Sequence, residues 1–136
     1  MAKRLHLVVL SVGTCIGGFF PALSAAPPEI RKVKVVTLPD VPPRYFPVLE
    51  GSSGGTSMES GVVTLEPGKA VGAHNTKHFE ELVVTLSGTG ELRQPGKPPI
   101  PLRPGVLVYS PPNTEHDVFN TGTAPLRYVF IAAKAR

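Results

Sequence analysis

The chain has 136 residues and a formal charge of +4, with sixteen prolines, fourteen glycines, four histidines, no tryptophan and a single cysteine. For a chain of that length one domain with a single core is expected. The basic residues are scattered, two of the fourteen being Lys3 and Arg4 against ten acidic ones, so no basic stripe with interleaved aromatics exists to bind nucleic acid.

The first 26 residues read as an export signal. Lys3 and Arg4 form a basic start, 5–20 is mostly apolar, and Pro21-Ala-Leu-Ser-Ala-Ala26 ends in small residues suited to cleavage after Ala25 or Ala26. The apolar run is short and broken by glycines, which argues against a membrane span. A soluble periplasmic or secreted protein is expected, with no membrane association once the signal is removed. Cys15 lies inside this segment, so the mature chain has no cysteine for disulfides, thiolate ligands or nucleophiles.

Residues 27–55 form a proline- and glycine-rich N-terminal arm, with Pro27, Pro28, Pro39, Pro42, Pro43 and Pro47 followed by Gly51-Ser-Ser-Gly-Gly55. Proline fixes φ and removes backbone donors, so this stretch is not expected to form central strands or long helices. One short strand is predicted from Lys32 to Thr37, where charged and apolar residues alternate; it would pair at a sheet edge or across a homodimer. Tyr45 and Phe46 are the arm's expected anchors in an apolar groove.

From Thr56 onward the sequence reads as all β. Runs of Val, Leu, Thr and aromatics are cut at intervals by turn signals such as Pro67-Gly68, Ser87-Gly-Thr-Gly90, Pro104-Gly105 and Pro111-Pro-Asn113. Many short strands with such punctuation predict a sandwich or barrel. Two segments carry chemistry. One runs from Gly68 through His74, Thr76, His78, Glu80 and Glu81 to Gly88; the other runs from Gly105 through Pro111, Asn113 and His116 to Asn120. Together they hold every histidine except His6. Imidazoles with a carboxylate suit a transition metal and leave positions open for substrate.

These segments resemble the two cupin motifs. Gly68, His74, Glu81 and Gly88 match the first, and Gly105, Pro111, His116 and Asn120 the second. Asn113 stands where Gly is usual, and Thr76 stands where the family has its second histidine. The resemblance implies a small single-domain cupin over 56–133, a double-stranded β-helix (cupin jelly roll) with the proline-rich arm before it. It also implies one divalent transition metal (Fe, Mn, Ni, Cu or Zn) held by His74, Glu81 and His116. His78 is the candidate fourth ligand, since on an extended strand residues 74, 76 and 78 share a side. Glu80 would then face outward. Asn113 can take a left-handed backbone conformation, so its turn can survive without glycine. Tyr109, Arg93, Thr85 and Arg127 are further candidates for the pocket.

The expected activity is that of a metal-dependent enzyme on a small oxygenated organic molecule, an acid or a phenol, by dioxygenase, isomerase or lyase chemistry. The alternative is a periplasmic cupin that binds a small ligand or a metal without turnover, a reading that Thr76 favours. In either case the partner is a small-molecule ligand, and a homodimer is expected.

Overall fold

A computed structural model describes residues 33–50 and 57–135. The export signal, most of the predicted strand's approach and the Gly51–Gly55 run lie outside the described residues. The strands are β1 (Tyr45–Leu49), β2 (Met58–Leu65), β3 (His74–Asn75), β4 (Phe79–Ser87), β5 (Gly90–Arg93), β6 (Ile100–Leu102), β7 (Leu107–Ser110), β8 (Glu115–Phe119) and β9 (Leu126–Lys134). All pair antiparallel, in a five-stranded sheet ordered β1-β2-β9-β4-β7 and a four-stranded sheet ordered β3-β8-β5-β6. The double-stranded β-helix expected from the sequence is what forms. Among the described residues no helix is long and apolar enough to cross a membrane.

Period-two alternation decides which side chains meet between the sheets. Val63 and Leu65 of β2, Val83 of β4, and Leu126 and Tyr128 of β9 face Leu92, Leu102 and Val118 of the other sheet in one buried cluster. Each such aliphatic side chain, fully buried, contributes about 1.5–3 kcal/mol. The core fills one end of the sandwich and leaves the other, between β3, β4 and β8, to polar groups.

Asn120, fully buried just past β8, locks the core end. Its amide donates to the carbonyls of Leu65 and Ala124 at 2.8 and 2.9 Å, and its oxygen accepts from the Gly122 N–H at 2.8 Å. The motif asparagine is therefore a turn-building residue. Gly88 shows why its position admits no side chain: φ is +79°, and a Cβ there would lie 2.4 Å from the Pro125 carbonyl oxygen.

The arm departs from expectation. Residues 33–37 form no strand, and Val33 and Val35 are almost fully exposed. The strand lies later, as β1, and includes Pro47. Among the described residues it is an edge strand paired only with β2, and its register shifts between Pro47 and Leu49. An edge position with a bulge tolerates the missing N–H. Alternation of charged and apolar residues marked Lys32–Thr37, but among residues 33–37 only Val36 is part-buried, whereas Phe46, Val48 and Leu49 are all part-buried on a paired strand. Upstream, Arg127 on the outer face of β9 donates to the Pro39 carbonyl at 3.4 Å.

Candidate metal centre

β3 and β8 pair so that His74 sits directly opposite His116. Their rings lie 4.5 Å apart, tilted by 60°. Glu81 reaches the same point from the other sheet, because on β4 it shares the inward face with Val83 and Thr85. One donor atom from each of His74, Glu81 and His116 lies within 4.8 Å of the others. Bonds of about 2.0–2.2 Å from one ion can reach all three with small side-chain movements.

The three differ in burial, with His74 exposed, Glu81 intermediate and His116 fully buried. His74 Nδ1 lies 2.9 Å from the Gly72 carbonyl oxygen, so the proton belongs on Nδ1 and Nε2 keeps its lone pair. Gly72 is held in turn by its own N–H donating to Asp117 Oδ1 at 2.9 Å. His116 Nε2 faces Glu81 Oε1 at 3.4 Å, yet neither ring nitrogen of His116 makes a hydrogen bond among the described residues. A buried polar group left unpartnered costs about 1–3 kcal/mol. A cation at Nε2 removes that cost at this atom, and two imidazoles with a carboxylate form a suitable donor set for a first-row divalent ion. The residues therefore fit the metal that the motifs imply.

The structure does not bring His78 into this cluster. The expected extended run from 74 to 78 stops after Asn75, and Lys77 adopts φ +53°, so the chain turns from one sheet to the other at Lys77 and His78. Two-residue alternation fails across such a turn, leaving His78 exposed with its carbonyl accepting from the Ala135 N–H at 2.9 Å. Thr76 is buried and its hydroxyl is committed twice. It donates to the Pro111 carbonyl and accepts from the Thr114 N–H, both at 2.9 Å. Asn113 has φ +56°, the left-handed conformation expected of it, and its N–H donates to the Lys77 carbonyl at 2.8 Å.

The other candidates scatter. Glu80 faces outward and accepts a hydrogen bond from Tyr109 at 3.0 Å, so Tyr109, more than half exposed, is outside the pocket. That bond holds the Tyr109 phenol above its ordinary value of 10. Arg93 pairs with Glu91 and lies over the Phe119 ring, and Arg127 faces away from the core. Thr85 does point inward, buried with an unpartnered hydroxyl.

A cavity of about 320 Å³ opens beside His74 and Glu81, which line it. Its apolar walls include Val63, Val71, Phe79, Val118 and Phe130, and its polar groups include Asn75, Glu59 and Tyr128. Tyr128 is the residue that sequence reasoning missed, although Leu126-x-Tyr128-x-Phe130-x-Ala132 alternates and marks one inward face. Burial first, then the charges of Glu81 and Asp117, raise its phenol well above 10, with Arg44 pulling the other way. Its hydroxyl is therefore protonated at neutral pH.

Among solved structures the chain is similar to a protein described as a predicted oxalate decarboxylase from Thermotoga maritima, at 22% identity and a TM-score of 0.61, covering 66% of this chain and 78% of that one. It is similar also to a Cupin 2 conserved barrel domain protein from Salinispora arenicola, at 25% identity and 0.59, covering 79% and 89%. A third similarity is to a DMSP lyase from Ruegeria pomeroyi, at 26% identity and 0.50, covering 56% and 38%. No curated protein matches the chain. The cupin domain model matches residues 61–132, which takes in both motifs and all three converging side chains, and the chain belongs to the cupin domain family.

Proposed function

We propose that this protein is a metal-dependent cupin enzyme acting on a small oxygenated organic molecule in the cavity beside His74, Glu81 and His116. The observation that carries the reading is the buried, unpartnered imidazole of His116 facing Glu81 at 3.4 Å with His74 opposite. When bound, a divalent metal supplies Lewis acidity to a ligand oxygen. The chain's own residues do the rest. Gly72 and Asp117 set the His74 ring, the apolar walls exclude water from the ligand, and Tyr128 offers a protonated hydroxyl to it. The similarity to a DMSP lyase supports keeping lyase chemistry beside dioxygenase and isomerase chemistry as the reaction classes.

A second reading, a cupin that binds without turnover, draws on Thr76, whose hydroxyl is occupied by Pro111 and Thr114 and which leaves three converging donors. Metal analysis of the purified protein, followed by oxygen uptake and product detection with candidate substrates, separates the two. Bound metal with turnover supports the enzyme; bound metal and ligand without turnover supports the binder.

Export to the periplasm or medium is part of the proposal and rests on the first 26 residues; the mass of the protein recovered from its host tests it. Homodimer formation is likewise proposed, supported by Leu86, Leu107 and Tyr109 exposed on the outer face of the five-stranded sheet, and sedimentation tests it.

A further inference from the structure

The cavity wall away from the three ligating residues is built around a missing side chain. Gly61 of β2 is paired in register with Phe130 of β9, and a Cβ at Gly61 would lie 2.9 Å from both Phe130 Cε1 and Tyr45 Cε2, too close for any real side chain. The two rings use that notch. They stack with centroids 6.1 Å apart and planes 23° from parallel, and both line the cavity. Phe79, about one-third exposed, adds a third ring.

The charges of the lining are one-sided. Glu59 and Glu81 are present, and among the described lining residues there is no Lys or Arg. Arg44, whose charge reaches Tyr128, turns its guanidinium to the Ala70 carbonyl at 2.9 Å and does not line the cavity. An anion moved into an apolar cavity needs a paired cation. A divalent ion held by Glu81 has already had part of its charge offset, and Glu59 opposes any second carboxylate. A small dicarboxylate would also leave the aromatic wall without a partner, whereas a cavity of about 320 Å³ is at the small end of ligand sites and suits one ring.

We propose that the ligand is a neutral, single-ring molecule bearing one hydroxyl or carbonyl oxygen, and that the Tyr45–Phe130 pair seated over Gly61 selects it against small carboxylate anions. The inference rests on the metal-centre reading for the ligand's oxygen and on the ring wall for its body. Aromatic contacts prefer offset or edge-to-face arrangements, which an open ring pair can offer to a third ring. Tyr128, whose raised phenol stays protonated at neutral pH, lines the same cavity.

Calorimetric titration of the zinc-loaded full chain with 4-methylphenol and with oxalate tests this. The expected result is 4-methylphenol binding at least about tenfold more tightly than oxalate, a gap of about 1.4 kcal/mol. Phe130→Ala and the edge-strand variant Tyr45→Leu should each weaken 4-methylphenol severalfold while retaining zinc at the wild-type level. Tighter binding of oxalate, or 4-methylphenol affinity unchanged in a folded Tyr45→Leu protein, overturns the proposal. The two readings fail differently. Zinc-loaded protein that prefers oxalate loses the ligand class and keeps the metal centre. A chain that takes up no zinc but binds 4-methylphenol through Tyr45 and Phe130 loses the metal centre and keeps the ligand class.

Discussion

His74 and His116 are directly paired residues of neighbouring antiparallel strands, and their rings lie 4.5 Å apart. Directly opposed residues in such a pair have Cβ atoms about 4.5–5.5 Å apart. The backbone ladder itself therefore brings these two imidazoles together, while Glu81 comes from the facing sheet. A metal at this point ties the two sheets to each other.

Metal binding should accordingly stabilise the fold. At a free metal concentration of about 100 times Kd the gain is about 2.7 kcal/mol, and chelation should lower the melting temperature by the corresponding amount. His74→Ala, Glu81→Gln and His116→Ala should each lose this response. Loss of an outer partner of a metal ligand costs about 10–100-fold in affinity, so loss of a ligand should cost at least that. His78→Ala, altered on the exposed turn, should keep both metal affinity and the thermal shift. Thermal melts with and without added zinc, alongside metal content, check all four variants.

Thr76 carries a structural load where the family has a histidine. Thr76→Val removes an acceptor for the Thr114 N–H and a donor for the Pro111 carbonyl at a residue 7% exposed, and should cost about 1–3 kcal/mol. Thr76→Ser keeps both bonds and should stay close to wild type. Urea midpoints of the three metal-free proteins give the comparison.

The three tyrosines differ in how alkaline pH reaches them. The folded-state value of Tyr128 is raised above the ordinary 10 by burial, so the unfolded chain loses this proton first as pH climbs. The stability tied to the protonated phenol is fully present below pH 10 and is lost as pH rises toward the folded value, at up to about 1.4 kcal/mol per pH unit. In metal-free protein, Tyr128→Phe should flatten the fall in urea midpoint between pH 9 and pH 11. An identical slope in variant and wild type would place the alkaline sensitivity at Tyr45 or Tyr109, whose phenols are also raised.

Much of the centre was legible because it depends on short-range spacing. Glu81 rather than Glu80 follows from the cupin motif's six-residue spacing to Gly88, after which period-two alternation puts Glu80 on the outer face, and Asn113 from the tolerance of its side chain for positive φ. Features that depend on the path between elements were not legible. His78 turns away because the chain changes sheets at Lys77, which no alternation rule anticipates. Tyr109, a pocket candidate by its place on the strand before His116, has its side chain on the outer face, and Tyr128 lies outside both motifs. β1 was hidden by Pro47, which an edge strand admits at a bulge and a central strand would not.

The central claim is that His74, Glu81 and His116 hold one metal ion. An anomalous difference map from crystals of the zinc-loaded protein, recorded on both sides of the zinc absorption edge, addresses it most directly. The account predicts one strong peak in each chain, within about 2.0–2.2 Å of a nitrogen from His74, a nitrogen from His116 and a carboxylate oxygen of Glu81. A peak at His78 instead, or no peak between β3, β4 and β8 in protein that retains zinc, would contradict it.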